Sequence, residues 1–405
     1  MPGPADFRIL ASVSAPSPAS PGPFDRAAIV VFDSAGCGDA PDAAEFGDLG
    51  ANTLGHIHER VGLKVPNLAR LGWRRILPLG DGEVVGAWGR MRERSRGKDT
   101  TTGHWEIAGA LLEQPFPTYP DGFPPEVILP FERVCGKPVL WNRVASGTEI
   151  LDRLGDEHVR TGRPIVYTSA DSVFQVATHE DVVPLETLHA WCRAAREILR
   201  GPHEVGRVIA RPFVGRDGRY ERTANRRDFS VLPPDGCLPQ VLADAGLAVV
   251  AVGKIEDIFA GRGITEAVHT KDNAEGARLT ADYLRRGPRR GLIFTNLVDF
   301  DTKHGHRNDV EGYARCLEEA DRQIVPVLEA LGERDLLVIT ADHGNDPTDP
   351  STDHSRELVP LVAYHRRIRP VDLGLRPTFA DLGQTVAANF GLRVANGESF
   401  LGEVS

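Results

Sequence analysis

Carboxylates and imidazoles follow three short apolar runs of the chain. Residues 27–32 precede one acid, and "RGLIFTNLVDFDTKHGH" and "RDLLVITADHGND" each deliver an acid and a histidine, with a further histidine in "STDHSRE". The candidate metal ligands are Asp33, Asp301, His306, Asp342, His343 and His354. This mixture of ligands suits Mn, Zn or Fe better than Mg. The set is too large for one tetrahedral centre and fits two ions, which can clamp the oxygens of a displacement at phosphorus.

Three successive threonines in "RGKDTTTGHWEIAGA" (residues 96–110) form a second chemical feature. A hydroxyl needs a base or a metal to act as a nucleophile, and a phosphorylated threonine ahead of a helix gains from the helix dipole. The alternative is structural: Thr101 or Thr102 caps a helix predicted over "HWEIAGALLE", with Glu106 nearby. Both roles are expected to hold, for different threonines.

Strands and helices must bring these residues together. Apolar runs that alternate with helical patterns predict a largely parallel sheet with helices on both faces. Ligands bind beyond the carboxyl ends of such strands, so the acids are expected at one edge. Residues 114–229 differ: turn-rich segments enclose strand candidates in "RPIVYTSAD" and "GRVIARPFVG" and a helix around "VPLETLHAWCRAAREIL". This pattern indicates a smaller α+β domain inserted into the first.

Composition describes an ordinary soluble globular protein. The 405 residues are 41% hydrophobic and 26% charged, and the net charge of −10 argues against a nucleic-acid binder. No apolar run is long enough to span a bilayer, so no membrane association is expected. Residues 1–25 predict a flexible Pro/Ala-rich extension without a secretory signal. Five cysteines without a CxxC pair favour a reduced, cytoplasmic protein.

Several long motifs carry a resemblance to a known family. They are "FDSAGCGDAPDAAEFGDLGANTLGHI", "GKDTTTGHWEIAG", "YTSADSVFQVATHED", "GRVIARPF", "NLVDFDTKHGHRND", "TADHGND" and "TDHSRELVP". Over residues from about 28 to 400, the chain resembles the phosphopentomutases of the alkaline phosphatase superfamily. The resemblance implies an isomerase of pentose phosphate and nucleoside catabolism that interconverts ribose (or 2-deoxyribose) 1-phosphate with the 5-phosphate. It also implies two Mn²⁺ ions, a phosphothreonine and a sugar bisphosphate primer such as glucose 1,6-bisphosphate.

The motifs also assign roles to individual residues. By resemblance, one manganese is held by Asp33, Asp342 and His343, and the other by Asp301, His306 and His354. Thr100 would be the nucleophile, positioned by Thr102 and His104. The resemblance implies that Ser169 and Asp171 meet sugar hydroxyls, while Arg207, Arg222 and Lys254 meet the non-transferring phosphate. His304 is interpreted as a neighbour of the ligand His306, and Cys37 as a buried residue outside the ligand set.

The predicted organisation has three parts. Residues 1–25 are the extension, residues 26–113 and 230–405 the metal-binding α/β core resembling alkaline phosphatase, and residues 114–229 the inserted cap. The partners expected are small sugar phosphates, with no obligatory protein partner. Within the superfamily, a cofactor-independent phosphoglycerate mutase or a phosphatase is the alternative. From a different class, the alternative is a non-enzymatic sugar-phosphate binding protein, which would not need six metal-type ligands.

Overall fold

The chain folds around two β-sheets. The computed structural model describes residues 22–169 and 172–405. Eight strands form the larger sheet and six the smaller one. In chain order the strands are β1 (Arg26–Phe32), β2 (Ala87–Met91), β3 (Leu140–Val144), β4 (Ile165–Thr168), β5 (Val173–His179), β6 (Arg207–Arg216), β7 (Arg219–Arg222), β8 (Arg227–Ser230), β9 (Ala248–Val252), β10 (Glu266–Val268), β11 (Gly291–Leu297), β12 (Asp335–Thr340), β13 (Val359–Tyr364) and β14 (Asp372–Arg376).

Helices connect and cover the strands. They are α1 (Thr53–Val61), α2 (Pro66–Leu71), α3 (Thr100–Ile107), α4 (Pro125–Cys135), α5 (Glu149–Thr161), α6 (Leu185–Ile198), α7 (Leu238–Asp244), α8 (Ile255–Ile258), α9 (Asn273–Arg286), α10 (Val310–Gln323), α11 (Val325–Ala330) and α12 (Ala380–Asn389). The helical pattern preceding β12 divides into α10 and α11 beside Pro326, which has no N–H to donate. Within the described ranges, no helix combines the length and apolarity that crossing a membrane requires.

The larger sheet is mostly parallel, as the alternating pattern predicts. Its order is β10-β9-β11-β1-β12-β13-β2-β14, and β1 pairs in parallel with both β11 and β12. Only the contacts of β13 with its two neighbours are antiparallel. After Arg26, every residue of β1 is buried, because helices cover both faces of the sheet. The predicted α/β fold class is confirmed.

The three central strands end at the same edge of this sheet. Val31 is in register with Asn296 of β11 and with Thr340 of β12. The segments that follow these strands therefore emerge side by side, although they are separated by hundreds of residues in sequence. The loops carrying the predicted ligands start from these strand ends.

The smaller sheet is sandwiched between helices. Its order is β3-β4-β5-β6-β7, with β8 paired to β6. All of these strands lie within residues 140–230. Helix α5 packs on one face through a cluster that includes Leu151, Tyr167 and Phe213, and α4 and α6 pack on the other. The strands predicted in "RPIVYTSAD" and "GRVIARPFVG" are β4 and β6. The domain boundaries at 113/114 and 229/230 stay predictions.

The predicted N-terminal extension is mostly outside the described residues, which begin at Gly22. The N–H of Gly22 donates to the carbonyl of Asn389 at 2.7 Å, and the N–H of Phe24 donates to the Asn389 side chain at 3.0 Å. Phe24 is buried in the main hydrophobic core. The segment just before β1 is thus fastened to the end of α12.

Candidate metal centre

Four of the predicted ligands are buried at the carboxyl edge of the larger sheet. Asp33 directly follows β1, Asp342 and His343 follow β12, and Asp301 lies in a short π-helical turn after β11, Phe300–His304. Parallel pairing of the three strands brings these side chains together. The placement expected from the sequence is therefore found for these four residues.

One cluster of ligand atoms lies at the end of β1. Single donor atoms of Asp33, Asp301 and His343 all lie within 4.8 Å of one another. The Nε2 atom of His343 is 3.4 Å from Asp33 Oδ1 and 3.4 Å from Asp342 Oδ2. Asp342 therefore adjoins this cluster through His343, whereas the third member of the cluster is Asp301, and the predicted set of Asp33, Asp342 and His343 stays a prediction.

A second cluster consists of Asp301, His306 and His354, again with donor atoms within 4.8 Å. Asp301 is 3.3 Å from His306 Nε2 through one oxygen and 3.4 Å from His354 Nε2 through the other. The opposite ring nitrogen of His306 lies 2.7 Å from the carbonyl of Thr352, a contact in which Nδ1 donates. In the neutral ring, that bond keeps the proton on Nδ1 and directs the lone pair of Nε2 towards the centre.

The two clusters adjoin each other. Asp301 contributes to both, and the His354 ring lies 4.0 Å from the ring of His343 and 4.8 Å from that of His306. His304, two residues before His306, instead bonds Asp309 at 2.8 Å. The geometry therefore separates the two histidines of the "TKHGH" motif, and it is His306 that reaches the centre.

The pKa values of the groups in the centre are shifted because several carboxylates are buried close together. Burial and then the neighbouring Asp342 raise the pKa of Asp33. Burial alone would lower the pKa of His343, but the carboxylates of Asp342, Asp33 and Asp301 outweigh it and hold that pKa well above the ordinary value. The hydrogen bond to Asp301 likewise raises the pKa of His306 to about 9. The carboxylates that favour a proton on these imidazoles would also favour a bound cation.

The residues present fit metal ions. Among the described side chains, Asp33 Oδ1, Asp342 Oδ2 and His354 Nε2 are buried and lack a hydrogen bond of good geometry, although Asp342 Oδ2 lies 3.0 Å from His104 Nδ1. Buried polar atoms are normally bonded, so unbonded acceptors in both clusters suit bound cations. Imidazole and carboxylate donors together favour a transition metal.

Thr100 lies beside the first cluster. Its Oγ1 is 3.2 Å from His343 Nε2, whereas the side chain of Thr102 bonds Asp99 at 2.6 Å. The expectation that Thr101 or Thr102 caps the helix is wrong: Asp99 is the N-cap and accepts from the N–H groups of both. The helix also differs from prediction, because α3 starts at the threonines and ends at Ile107.

His104 connects the helix to the metal ligands. Its Nδ1 lies 2.9 Å from the carbonyl of Thr100 and 3.0 Å from Asp342 Oδ2, and its Nε2 lies 3.3 Å from the amide of Asn296. Asn296 in turn donates to Asp33 Oδ2 at 2.8 Å. Sequence analysis named His104 as a positioning residue but missed Asn296. The position of Asn296, next to the last residue of a central strand, is the signal that could have found it.

The predicted substrate-binding residues lie elsewhere. Ser169 follows β4 and Arg207 begins β6, while Arg222 ends β7 and its guanidinium lies against Gly147. Lys254 is exposed after β9. Asp171 lies outside the described residues. No hydrogen bond or ion pair within residues 22–169 and 172–405 joins Arg222 or Lys254 to a metal-centre residue.

Arg222 belongs to a basic region that sequence analysis did not identify. Burial and then the charges of Arg226 and Arg222 lower the pKa of Arg211 to about 10. Arg226 lines a cleft of about 850 Å³ between β8 of the smaller sheet and α8 of the core, where it faces Asp257. Arg226 is paired with Asp228 at 2.7 Å, and the cleft contains acidic as well as basic side chains.

Comparisons with known proteins agree with this architecture. The family model "Metalloenzyme superfamily" matches residues 25–394. A solved structure, the PH0037 protein from Pyrococcus horikoshii, covers 92% of this chain with 99% of its own, at a TM-score of 0.50 and 16% identity. That likeness concerns the fold alone.

Curated relatives are much closer in sequence. The phosphopentomutase of Caldanaerobacter subterraneus subsp. tengcongensis is 54% identical over 387 residues, covering 94% of this chain and 98% of the relative. The phosphopentomutase of Anaeromyxobacter sp. (strain K) is 58% identical over 386 residues, covering 94% and 99%. The chain belongs to the phosphopentomutases of the metalloenzyme superfamily, and it is therefore an isomerase.

Proposed function

We propose that the chain interconverts ribose 1-phosphate, or its 2-deoxy analogue, with the corresponding 5-phosphate through a phosphothreonine and a sugar bisphosphate. The observation that carries the proposal is the position of Thr100: its hydroxyl lies 3.2 Å from His343 Nε2, beside the ligand clusters. Among the three threonines, it is the one whose side chain contacts the centre. The relatives support the phosphopentomutase family, and the individual substrates are part of the proposal.

Two Mn²⁺ ions are proposed as the resident cofactors. Asp33, Asp342 and His343 would hold one, with Asp301, His306 and His354 holding the other; Asp301 lies within reach of both. When bound, the ions would supply positive charge that activates a hydroxyl and stabilises charge on the transferring phosphoryl group. The buried acceptor atoms of Asp33, Asp342 and His354 that lack a hydrogen bond of good geometry support their presence.

Thr100 would carry the phosphoryl group between sugars. The bond from its Oγ1 to phosphorus breaks as a free hydroxyl of the sugar phosphate forms the new bond and loses its proton, which gives a sugar bisphosphate. Transfer of the other phosphoryl group back to Thr100 restores the protein and leaves the isomeric monophosphate. Thr100 is the first residue of α3, where the helix dipole favours negative charge. A bisphosphate such as glucose 1,6-bisphosphate would load the threonine initially.

The inserted domain would hold the sugar and exclude water. Ser169 and Asp171 are proposed to bind sugar hydroxyls, and Arg207, Arg222 and Lys254 the non-transferring phosphate. Arg211 lies near Arg222 and adds positive charge there, which supports an anionic ligand, whereas Arg226 is paired with Asp228. Water must be excluded because it would otherwise hydrolyse the phosphothreonine.

The test is isomerisation of ribose 5-phosphate by the Mn²⁺-loaded chain after priming with glucose 1,6-bisphosphate. Ribose 1-phosphate should form, Thr100→Ala should form none, and chelation of the metal should stop turnover. Conversion of phosphoglycerate in place of the pentose would contradict the proposed substrate. Release of phosphate without isomerisation would indicate a phosphatase.

A further inference from the structure

Arg356 is a buried arginine that follows the proposed ligand His354 by two residues, and it is 1% exposed. We propose that Arg356 is a positioning residue for the reaction, which fixes the loop leading to Thr100 against the loop carrying His354. The inference rests on the proposed function, because it concerns where the phosphoryl carrier stands relative to the second metal cluster.

The guanidinium of Arg356 binds the segment just before α3. The two N–H groups of its Nη1 are shared among Glu93 Oε2 at 2.7 Å and the carbonyls of Ser95 and Gly97 at 2.8 and 2.7 Å, and its Nη2 donates to the carbonyl of Glu93 at 2.7 Å. Three of these four bonds go to the backbone. Arg356 therefore holds the course of the chain at residues 93–97, only a few residues before Thr100.

The same segment is held from its other side by the helix that carries Thr100. The carboxylate of Glu106, in α3, accepts from the backbone N–H of Arg94 at 2.9 Å and of Ser95 at 2.6 Å. Carbonyl groups of the segment thus face Arg356 while N–H groups face Glu106. A shift of residues 93–97 would therefore also shift α3, the helix that contains Glu106 and Thr100.

Further contacts join Arg356 to a third loop. Asp42 accepts from its Nε and Nη2 at 3.3 and 3.0 Å, and the ring of Phe46 lies 4.7 Å from its guanidinium carbon. Its backbone N–H donates to Asp48 Oδ2 at 2.8 Å, and Asp48 also binds the ammonium of Lys98 at 3.0 Å. Asp48 thus bridges the backbone of the His354 loop and a side chain two residues before Thr100.

This arrangement is specific to a guanidinium. Its planar fork spreads its donors over two carboxylates and three carbonyls, whereas a lysine offers three donors from one point. Small displacements of reacting groups are costly in enzymes, since a 1 Å misplacement can reduce the rate about 100-fold. Loss of Arg356 is therefore expected to lower kcat with little change in KM, because the proposed sugar-binding residues lie on other elements.

The experiment compares Arg356→Lys and Arg356→Met with the unaltered Mn²⁺-loaded enzyme, primed in the same way. The expected order of kcat is Arg, then Lys, then Met, with Met lower by about 100-fold and KM for ribose 5-phosphate changed by less than about threefold. The control is Arg26→Met, which removes a bidentate arginine–aspartate pair with Asp335 at the opposite end of β1. Arg26→Met should lower the Tm and leave the kcat of the folded enzyme unchanged.

Asp42→Asn keeps the test decisive if Arg356→Met does not fold, because it weakens the same ion pair from the loop side. A kcat within twofold of the unaltered enzyme in both folded Arg356→Lys and Asp42→Asn would overturn the positioning role and leave a purely structural one. Failure of the unaltered enzyme to isomerise pentose phosphates would instead overturn the proposed function. The two failures are therefore distinguishable.

Discussion

Replacing His306 with alanine should remove one metal ion and leave the fold intact. His306 reaches Asp301 through Nε2 at 3.3 Å, and the bond of Nδ1 to Thr352 holds the ring in that orientation. Its side chain is 41% exposed. Truncation therefore creates no buried cavity, and the main cost to the stability of the metal-free chain should be the lost pairing with Asp301, a cost that disappears as the pH rises past about 9.

The loss of metal affinity should be much larger. Changes to residues that only support a metal ligand typically cost about 10- to 100-fold in affinity, so losing the ligand itself should cost at least about 100-fold, or roughly 2.8 kcal/mol. Metal analysis after desalting should find about one ion per chain in place of about two, because the cluster around His343 keeps its ligands. Calorimetric titration with Mn²⁺ measures the affinity of the weakened site directly.

His304→Ala is the matched control from the same motif. His304 bonds Asp309 at 2.8 Å and does not reach the centre. Its replacement should leave the metal content unchanged and the rate within about threefold of the unaltered enzyme. Retention of both ions at unaltered affinity in His306→Ala would refute the assignment of this ligand. Loss of an ion in His304→Ala, with both ions retained in His306→Ala, would show that His304 and not His306 is the metal ligand.

Three other perturbations should have defined outcomes. Mn²⁺ affinity should rise with pH by up to about tenfold per unit until about pH 9. The reason is that Asp301 raises the pKa of His306 to about 9 and metal binding must displace that proton. An affinity that does not change with pH would contradict this. Thr100→Ser should retain part of the turnover and Thr100→Ala none, whereas Thr101→Ala should stay active, as steady-state assays would verify. Arg222→Met should raise KM for ribose 5-phosphate by about tenfold or more while Arg219→Met, on the same strand, does not; equal effects would argue against a phosphate contact.

The sequence predicted which side chains meet at one edge of the larger sheet, because strand patterns are local signals. Runs ending in Asp33, Asp301 and Asp342 identified three strands, and parallel pairing necessarily placed their ends together. The sequence also distinguished His306 from His304, which the structure supports by directing His304 to Asp309. Long-range contacts were needed to show that Asp301 lies within reach of both clusters.

Contacts made by backbone groups were beyond sequence reasoning. Several residues at the start of α3 could have capped the helix. Only the structure shows that Asp99 accepts the hydrogen bonds of the N–H groups and that the hydroxyl of Thr100 contacts His343. Arg356 gave no signal in the sequence, because its partners include carbonyls whose positions depend on the tertiary fold. Asn296 appeared as one polar residue within an apolar strand, without indicating its bond to Asp33.

The most direct test of the account follows the phosphoryl group on Thr100 through one turnover. The Mn²⁺-loaded enzyme is primed with glucose 1,6-bisphosphate, mixed with ribose 5-phosphate and quenched at successive times. Mass spectrometry then locates phosphate within residues 100–102, and chromatography measures the pentose bisphosphate. The account predicts phosphate on Thr100 alone, with its early loss matched by the appearance of bisphosphate. Phosphate on Thr101 or Thr102, or full turnover by enzyme that carries none at any time, would contradict it.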